Sequence, residues 1–294
     1  PSGSITVSTQ KPIFNDFGGY VDVTGTDLDG KNVKSVVNIP LIDDMLAVRV
    51  AGVWEQNDGD NIKNVFSGET TERESDGYRL SIAFQPTDSL AIDLMYQKLN
   101  ADRNLYTSVE SANIADPSLP ASDIFITAED RLAVQDLYSS SRQELEATTL
   151  NIAWDVGAHQ LNLAGTYINE SIIRPNSSGD PTNAIDASQS ADWQGHGQGL
   201  STISDGNSIE VRLQSTEPMF NEKLDYVVGA LWSDARPASD VVNQSLVQVT
   251  IPNSIIGIPG LPPTFNVPVA HVIADTLILS GGYTEETSFF CNLT

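Results

Sequence analysis

Cysteine is almost absent: the single Cys291 excludes a disulfide framework and a thiolate metal site. Long apolar runs are also missing, and nothing approaches the roughly 18 consecutive residues that a spanning helix requires. Basic residues are few. With 15 Lys and Arg against 39 Asp and Glu, the net charge of −24 argues against nucleic acid as a partner, because phosphate binding needs clustered cations. The three histidines, His159, His196 and His271, are scattered without metal-ligand spacing. Asp27–Gly30 resembles part of a calcium loop but lacks the later Glu, and Asp-Gly there suits a hairpin tip. No nucleophile elbow, P-loop or dinucleotide fingerprint appears, so no catalytic residue, metal ligand or cofactor is assigned and no enzyme is expected. The chain opens Pro1-Ser2-Gly3 with no initiator Met and no signal peptide, so a processed or missing N-terminus is expected.

What the chain does have is glycine and proline, 21 and 15 of them, and a recurring period of two. Tyr78–Gln85 alternates apolar and polar residues without an error. Leu46–Trp54, Leu90–Gln97, Leu150–Asp155, Gln160–Tyr167, Ile209–Gln214 and Leu224–Trp232 do nearly the same. Such alternation marks strands with one apolar and one polar face. Weaker strands are expected at Tyr20–Thr26, Val33–Ile39 and Thr276–Tyr283, which makes roughly ten.

A soluble sandwich and a membrane barrel share that signal, and three features favour the barrel. First, tight turns at Pro40–Asp44, Pro86–Ser89, Val156–His159 and Glu217–Lys223 alternate with long polar stretches. Those stretches are Asn57–Gly77, Asn100–Glu146, Ser171–Asn207 and Ser233–Asp275. Short periplasmic turns and long extracellular loops are the arrangement of outer-membrane barrels, and soluble domains rarely carry several such loops. Second, Trp54, Tyr78, Tyr96, Tyr167 and Trp232 fall beside the long loops, and Phe84 and Trp154 fall beside the short turns, as two aromatic girdles would. Third, Arg49, Arg79, Asp93, Glu210, Arg212 and Asp225 occupy the polar face in mid-strand, where a barrel has a wet or plugged lumen. The acidic excess then lies largely in two loops, among them Asp58, Glu72, Asp102 and Glu129. There it keeps the loops soluble and suits divalent-cation bridging to lipopolysaccharide.

Several segments, taken in order, resemble TonB-dependent outer-membrane receptors. Gly3-Ser4-Ile5-Thr6-Val7-Ser8-Thr9-Gln10-Lys11-Pro12 is similar to the closing strand of that family's plug domain, and Phe17-Gly18-Gly19-Tyr20 to the start of its first barrel strand. Asn38–Arg49 looks like the first periplasmic hairpin, and Arg79 with Gln85-Pro86-Thr87-Asp88 and Asn57-Asp58-Gly59 with Asn64 also fit. Glu210, Arg212 and Leu213, followed by Tyr226 and Gly229, repeat a later hairpin.

The resemblance implies an all-β, antiparallel transmembrane β-barrel, present here in part. Residues 1–12 would close the plug and residues 13–294 would begin the barrel. It implies location in the outer membrane of a Gram-negative bacterium, in contact with lipid bilayer and lipopolysaccharide. It implies import of a scarce nutrient, foremost a ferric siderophore or similar complex, coupled to TonB through a region preceding this chain. Against the pattern there is no TonB box, almost no plug, far fewer strands than the family's 22 and no C-terminal Phe. The chain therefore reads as a truncated frame in which Glu285–Thr294 need not be native. Trp193, Tyr138, Arg142 and Arg174 are loop residues of a type favoured in binding sites, but none outranks its neighbours and the ligand residues stay unassigned. The competing readings are a plugless porin or structural barrel, and a secreted β-sandwich or adhesin. The sandwich requires Trp54, Tyr96 and Trp232 in a core.

Overall fold

A computed structural model of the chain describes residues 9–27, 29–65, 68–106, 127–133, 139–174, 198–217, 224–260, 262–264 and 266–293. In chain order the strands are β1 (Gly18–Gly25), β2 (Lys31–Ile42), β3 (Leu46–Asn57), β4 (Lys63–Asn64), β5 (Glu72–Thr87) and β6 (Leu90–Leu105). There follow β7 (Leu132–Ala133), β8 (Ser139–Val156), β9 (His159–Arg174), β10 (Gln198–Ser215) and β11 (Tyr226–Pro252). A short helix α1 (Asn253–Ile256) leads to β12 (Asn266–Gly281) and β13 (Thr284–Leu293).

All but β4 and β7 form one antiparallel sheet, in the order β1-β2-β3-β5-β6-β8-β9-β10-β11-β12, with β13 also paired to β11. β12 and β13 are two halves of one stave. β12 pairs with β11 from Ala238 upwards, and β13 pairs with it from Ala235 down to Tyr226. The roughly ten strands expected are thus ten adjacent staves. The small β4–β7 pair stands apart, where Thr71, Asn64 and Ala133 are almost wholly buried.

The register explains the alternation. Val48, Ile82, Leu94, Leu150, Gly165, Ile209 and Trp232 are partners across successive strands and form one lateral row. One residue along, Asn38, Arg49, Ser81, Met95, Thr149, Thr166, Ser208, Ser233 and Glu286 form the next, on the opposite face. Because neighbouring residues point to opposite faces, a strand slipped by one would turn every apolar side chain inward, and the pattern therefore fixes the register.

Among the described residues no element packs on the apolar face. Tyr78, Leu80, Leu94, Trp154, Tyr167, Ile209 and Val211 are all exposed. Among the described residues the buried apolar set is only Ala47, Ile62, Ala83, Ala101, Tyr106 and Ala133. A sandwich would bury large side chains between two sheets. Here there is one large sheet, and Trp54, Tyr96 and Trp232 are each only half-buried, so the sandwich reading does not hold. An outward apolar face that meets no protein is what a lipid-facing barrel wall presents.

The short turns lie where expected at three of four places. β2 and β3 are joined through Asp43–Met45, with Asp44 at φ 55°; β5 and β6 meet through Asp88–Ser89; β8 and β9 through Gly157–Ala158, with Gly157 at φ 62°. The fourth, Glu217–Lys223, lies mostly outside the described residues. At the other end the strands run further than the alternation indicated. The expected loop Ser233–Asp275 is largely a hairpin, since β11 extends 27 residues to Pro252. β6, β8, β9 and β10 likewise reach into the stretches read as loops. Thr276–Tyr283, expected at the level of the barrel strands, belongs instead to this projecting hairpin. The stave beside Tyr226–Trp232 is Leu293–Thr287 of β13. Phe290 of β13 lies over Gly229, and a Cβ on Gly229 would collide with its ring.

Candidate functional site

Functional chemistry in such a sheet has to lie on its polar face or on the projecting strands. The polar face is lined by side chains that bond one another laterally. Gln214 Nε2 donates to Gln160 Oε1 at 3.0 Å, as Asn162 Nδ2 does at 3.1 Å, and Gln160 Nε2 donates to Asp155 Oδ1 at 2.8 Å. Arg212 Nε donates to Glu210 Oε1 at 3.0 Å. Fixed amides and charges of this kind suit a wet lumen and would be costly against lipid.

The segment before β1 is bound to that face. Asn38 is 3% exposed. It accepts from Ile13 N at 2.9 Å and donates to Ile13 O at 2.9 Å and to Asp16 O at 2.6 Å. Arg49 Nη2 donates to Gln10 Oε1 at 3.0 Å, and Lys11 makes an ion pair with Asp93 on β6. Asn15 accepts from the backbone N–H of Asp44, capping the β2–β3 turn. Asn38, Arg49 and Asp93 from three strands, with Asp44 in the β2–β3 turn, thus hold residues 10–16 across the polar face. The described part of the segment read as the plug's end is bonded to the polar face of the sheet; Pro1–Ser8 lies outside the described residues.

Two cavities lie on this part of the sheet, and the first adjoins this segment. One of about 220 Å³ is lined by Gln10, Tyr20, Val36, Arg49, Ala51, Arg79 and Ser81. A second of about 320 Å³ shares Tyr20, Val36, Ala51 and Arg79 and adds Lys34 and Gln97. A third, about 460 Å³, sits high on the projecting strands among Glu72, Glu74, Asp102, Arg103 and Arg142.

The outer face changes character at the aromatic residues. Tyr78 and Tyr96 have ring centroids 5.9 Å apart, and immediately above them Lys98 pairs with Glu146 at 2.9 Å. The Trp54 indole N–H donates to Glu74 at 3.1 Å and that of Trp232 to Glu285 at 2.9 Å. An indole with its ring over an apolar band and its N–H on a polar group is the usual interfacial arrangement. At the short-turn end, Tyr226 Oη and His159 Nδ1 are 2.9 Å apart beside Trp154's strand. The two expected aromatic levels therefore exist on one face.

Of the loop residues singled out by type, Arg142 pairs with Asp102 at 2.8 Å near the top of β8, and Arg174 ends β9. Tyr138 and Trp193 lie outside the described residues, as does His196. Among the described residues no group of three His, Cys, Asp or Glu side chains is placed to hold a metal ion. Asn38 and Asn15, which anchor the lumenal segment, were not legible as functional. Their only sequence signal was their position beside the first hairpin.

No family model matches the chain, and no curated protein matches it in sequence. Solved structures do resemble it. The siderophore receptor PiuA from Acinetobacter baumannii is similar over 97% of this chain, with TM-score 0.54 and 15% identity. The ferric yersiniabactin uptake receptor FyuA from Yersinia pestis is similar over 97%, with TM-score 0.57 and 12% identity. The chain spans 41% and 45% of the lengths of those two proteins. At these identities the likeness establishes the fold alone: the sheet is built like part of the β-barrel wall of those two proteins.

Proposed function

We propose that this chain is part of an outer-membrane receptor that imports a scarce nutrient, foremost a ferric siderophore or similar iron complex. The observation that carries the reading is the sheet itself. Ten antiparallel staves expose an apolar face bounded by aromatics and carry a polar one opposite it, and two siderophore or ferric-yersiniabactin receptors share the fold along 97% of the chain. The apolar positions of β6 run from Leu90 to Tyr96, six rises of about 3.3 Å, or roughly 20 Å of strand. With the flanking residues that is close to the height of a barrel's lipid-facing band.

Residues 10–16, held on the polar face by Asn38, Arg49 and Asp93, support a receptor with a plug over a plugless porin. In this reading Gly3–Pro12 closes the plug, projecting strands and loops capture the ligand, and TonB acts on the plug through a preceding region. Above the girdle, outward carboxylates such as Glu72, Glu74, Asp76 and Glu144 would meet lipopolysaccharide through divalent cations.

The test is genetic and radiochemical. In the source bacterium, deletion of the locus should abolish TonB-dependent uptake of at least one ⁵⁵Fe-labelled siderophore under iron limitation, and the intact gene should restore it. Unchanged uptake of every ferric complex, with loss of passive diffusion of small sugars instead, would establish the porin reading.

A further inference from the structure

Among the described residues, six of the chain's 15 lysines and arginines pair with a carboxylate. Arg73, Arg142, Arg212 and Arg236 are paired with Asp60, Asp102, Glu210 and Asp234. Arg49 and Arg79 are not. Both are half-buried on the polar face, yet their hydrogen-bond partners are neutral amides. Arg49 Nη2 donates to Gln10 Oε1 at 3.0 Å. Arg79 donates through Nε at 3.0 Å and through Nη2 to the one oxygen Gln97 Oε1. Among the described residues no carboxylate lies within ion-pair distance of either.

We infer that Arg49 and Arg79, with Ser81 and Tyr20, form a lumenal binding site for an oxyanion of the carboxylate or phosphate class. The two guanidinium groups line the same cavity of about 220 Å³, whose other walls are Gln10, Tyr20, Val36, Ala51 and Ser81. Arg79 also borders an adjoining cavity whose lining includes Lys34 and Lys98. A guanidinium carries five N–H donors in a planar fork. The neutral amides occupy one on Arg49 and two on Arg79, and no other hydrogen bond of theirs is formed among the described residues. Half-desolvated, unneutralised guanidinium pairs are strong sites for a planar or tetrahedral oxyanion, because charge-assisted bidentate bonds are about twice as strong as neutral ones.

The nearby carboxylates are otherwise engaged. Asp93 is taken by Lys11. Asp22 accepts from Thr24 Oγ1 at 3.2 Å and stands opposite Lys34 in the register. Residues 1–8 contain no Asp or Glu, so that segment brings no carboxylate to the site. The anion must come from a solute in the lumen or from a polypeptide carboxylate placed there by another part of the protein. The site rests on the sheet and the segment bound to it, and its test measures binding without transport, so its failure would leave the import reading standing.

The full chain, refolded in detergent and checked for β-sheet by circular dichroism, would be titrated calorimetrically at constant ionic strength set with sodium chloride. Two probes separate the sources: inorganic phosphate for a free oxyanion, and N-acetyl-aspartate amide for a polypeptide carboxylate. Saturable binding of either is expected, weakened at least tenfold by Arg49→Gln or Arg79→Gln and unaffected by Arg212→Gln. The better probe identifies the source. A second measurement needs no variant: phenylglyoxal should modify Arg49 and Arg79, as mapped by mass spectrometry, and the bound probe should protect both. A folded chain that binds neither probe above the chloride background would overturn the assignment. So would equal phenylglyoxal modification with and without probe.

Discussion

Leu150 and Thr149 are neighbours on β8 that face opposite ways, and they separate a membrane wall from any soluble sheet. Leu150 sits between Leu94 and Gly165 in the apolar row, and Thr149 between Met95 and Thr166 in the polar one. Leu150 is two residues from the first outward Thr148 and four from Trp154 at the lower girdle, close to the middle of the band. An arginine at the midplane of the lipid face of a barrel costs about 2–4 kcal/mol, and one on the lumenal face little. At about 1.4 kcal/mol per tenfold change, Leu150→Arg should disfavour the inserted form by roughly 30- to 700-fold. Thr149→Arg should change it by less than about fivefold, since its row already carries Arg49 and opens to water. Each variant would be diluted from urea into phospholipid vesicles, floated on a density gradient, and titrated back with urea against tryptophan fluorescence. The reasoning predicts a large fall in floated chain and in urea midpoint for Leu150→Arg alone. Equal behaviour of the two variants, or greater damage from Thr149→Arg, would mean that the exposed apolar face is not the lipid face.

Other expectations follow from single contacts. Gly229→Leu should push Phe290 off its seat and cost about 1–3 kcal/mol of urea stability, while Phe290→Ala in the same chain should recover most of the loss; a Gly229→Leu chain as stable as the parent would refute that packing. Asn38→Ala removes three hydrogen bonds to residues 13 and 16, each worth about 1 kcal/mol, so limited proteinase K digestion should cut near residues 10–16 several times faster. The Asp130 carboxyl, which accepts from the backbone N–H and the hydroxyl of Thr127, is held below its ordinary value near 3.8. A lowered folded value means that the Thr127–Asp130 turn is fully stabilised above the ordinary value and loosens as pH falls through the lowered one. An NMR titration of Asp130 should show this, and Thr127→Ala should move the midpoint back up. Unchanged titration in that variant would remove the stated cause.

Alternation was legible wherever one face of a strand meets an apolar phase and the other a polar one. Tyr78–Gln85 shows it, and that stretch lies within β5 as read. Above the girdle both faces meet water, and the pattern disappears although the pairing does not. Ser233-Asp234-Ala235-Arg236-Pro237-Ala238 has no apolar side, yet it continues β11 because backbone hydrogen bonds to β10 hold it irrespective of side chain. The same reason hides the upper halves of β8 and β10. The last stave was misplaced for a different cause. Leu277-Ile278-Leu279 is the more apolar stretch, but the residues opposite Val228 and Ala230 are Cys291 and Phe289. There Phe289 and Phe290 are adjacent aromatics on opposite faces, so the polar face carries a ring and the period of two is lost. Gly229 explains the ring: a residue without a Cβ leaves space that Phe290 fills.

The polar site was half legible for a related reason. Arg49, Arg79 and Asp93 stood out because charge in mid-strand is expensive unless that face is wet. What they do there depends on partners remote in sequence. Lys11 reaches Asp93 across 82 positions and Gln10 reaches Arg49 across 39, separations that local pattern does not report. The difference between these contacts is the informative part. Lys11 cancels a lumenal carboxylate, whereas Gln10 and Gln97 satisfy donors on two arginines and leave the positive charge standing. A glutamate at either position would have made a closed ion pair, as Glu210 does for Arg212 on the same face. Amides there fix the guanidinium planes while preserving their field. That combination orients a fork for something that arrives with negative charge, and structural ion pairing alone does not require it.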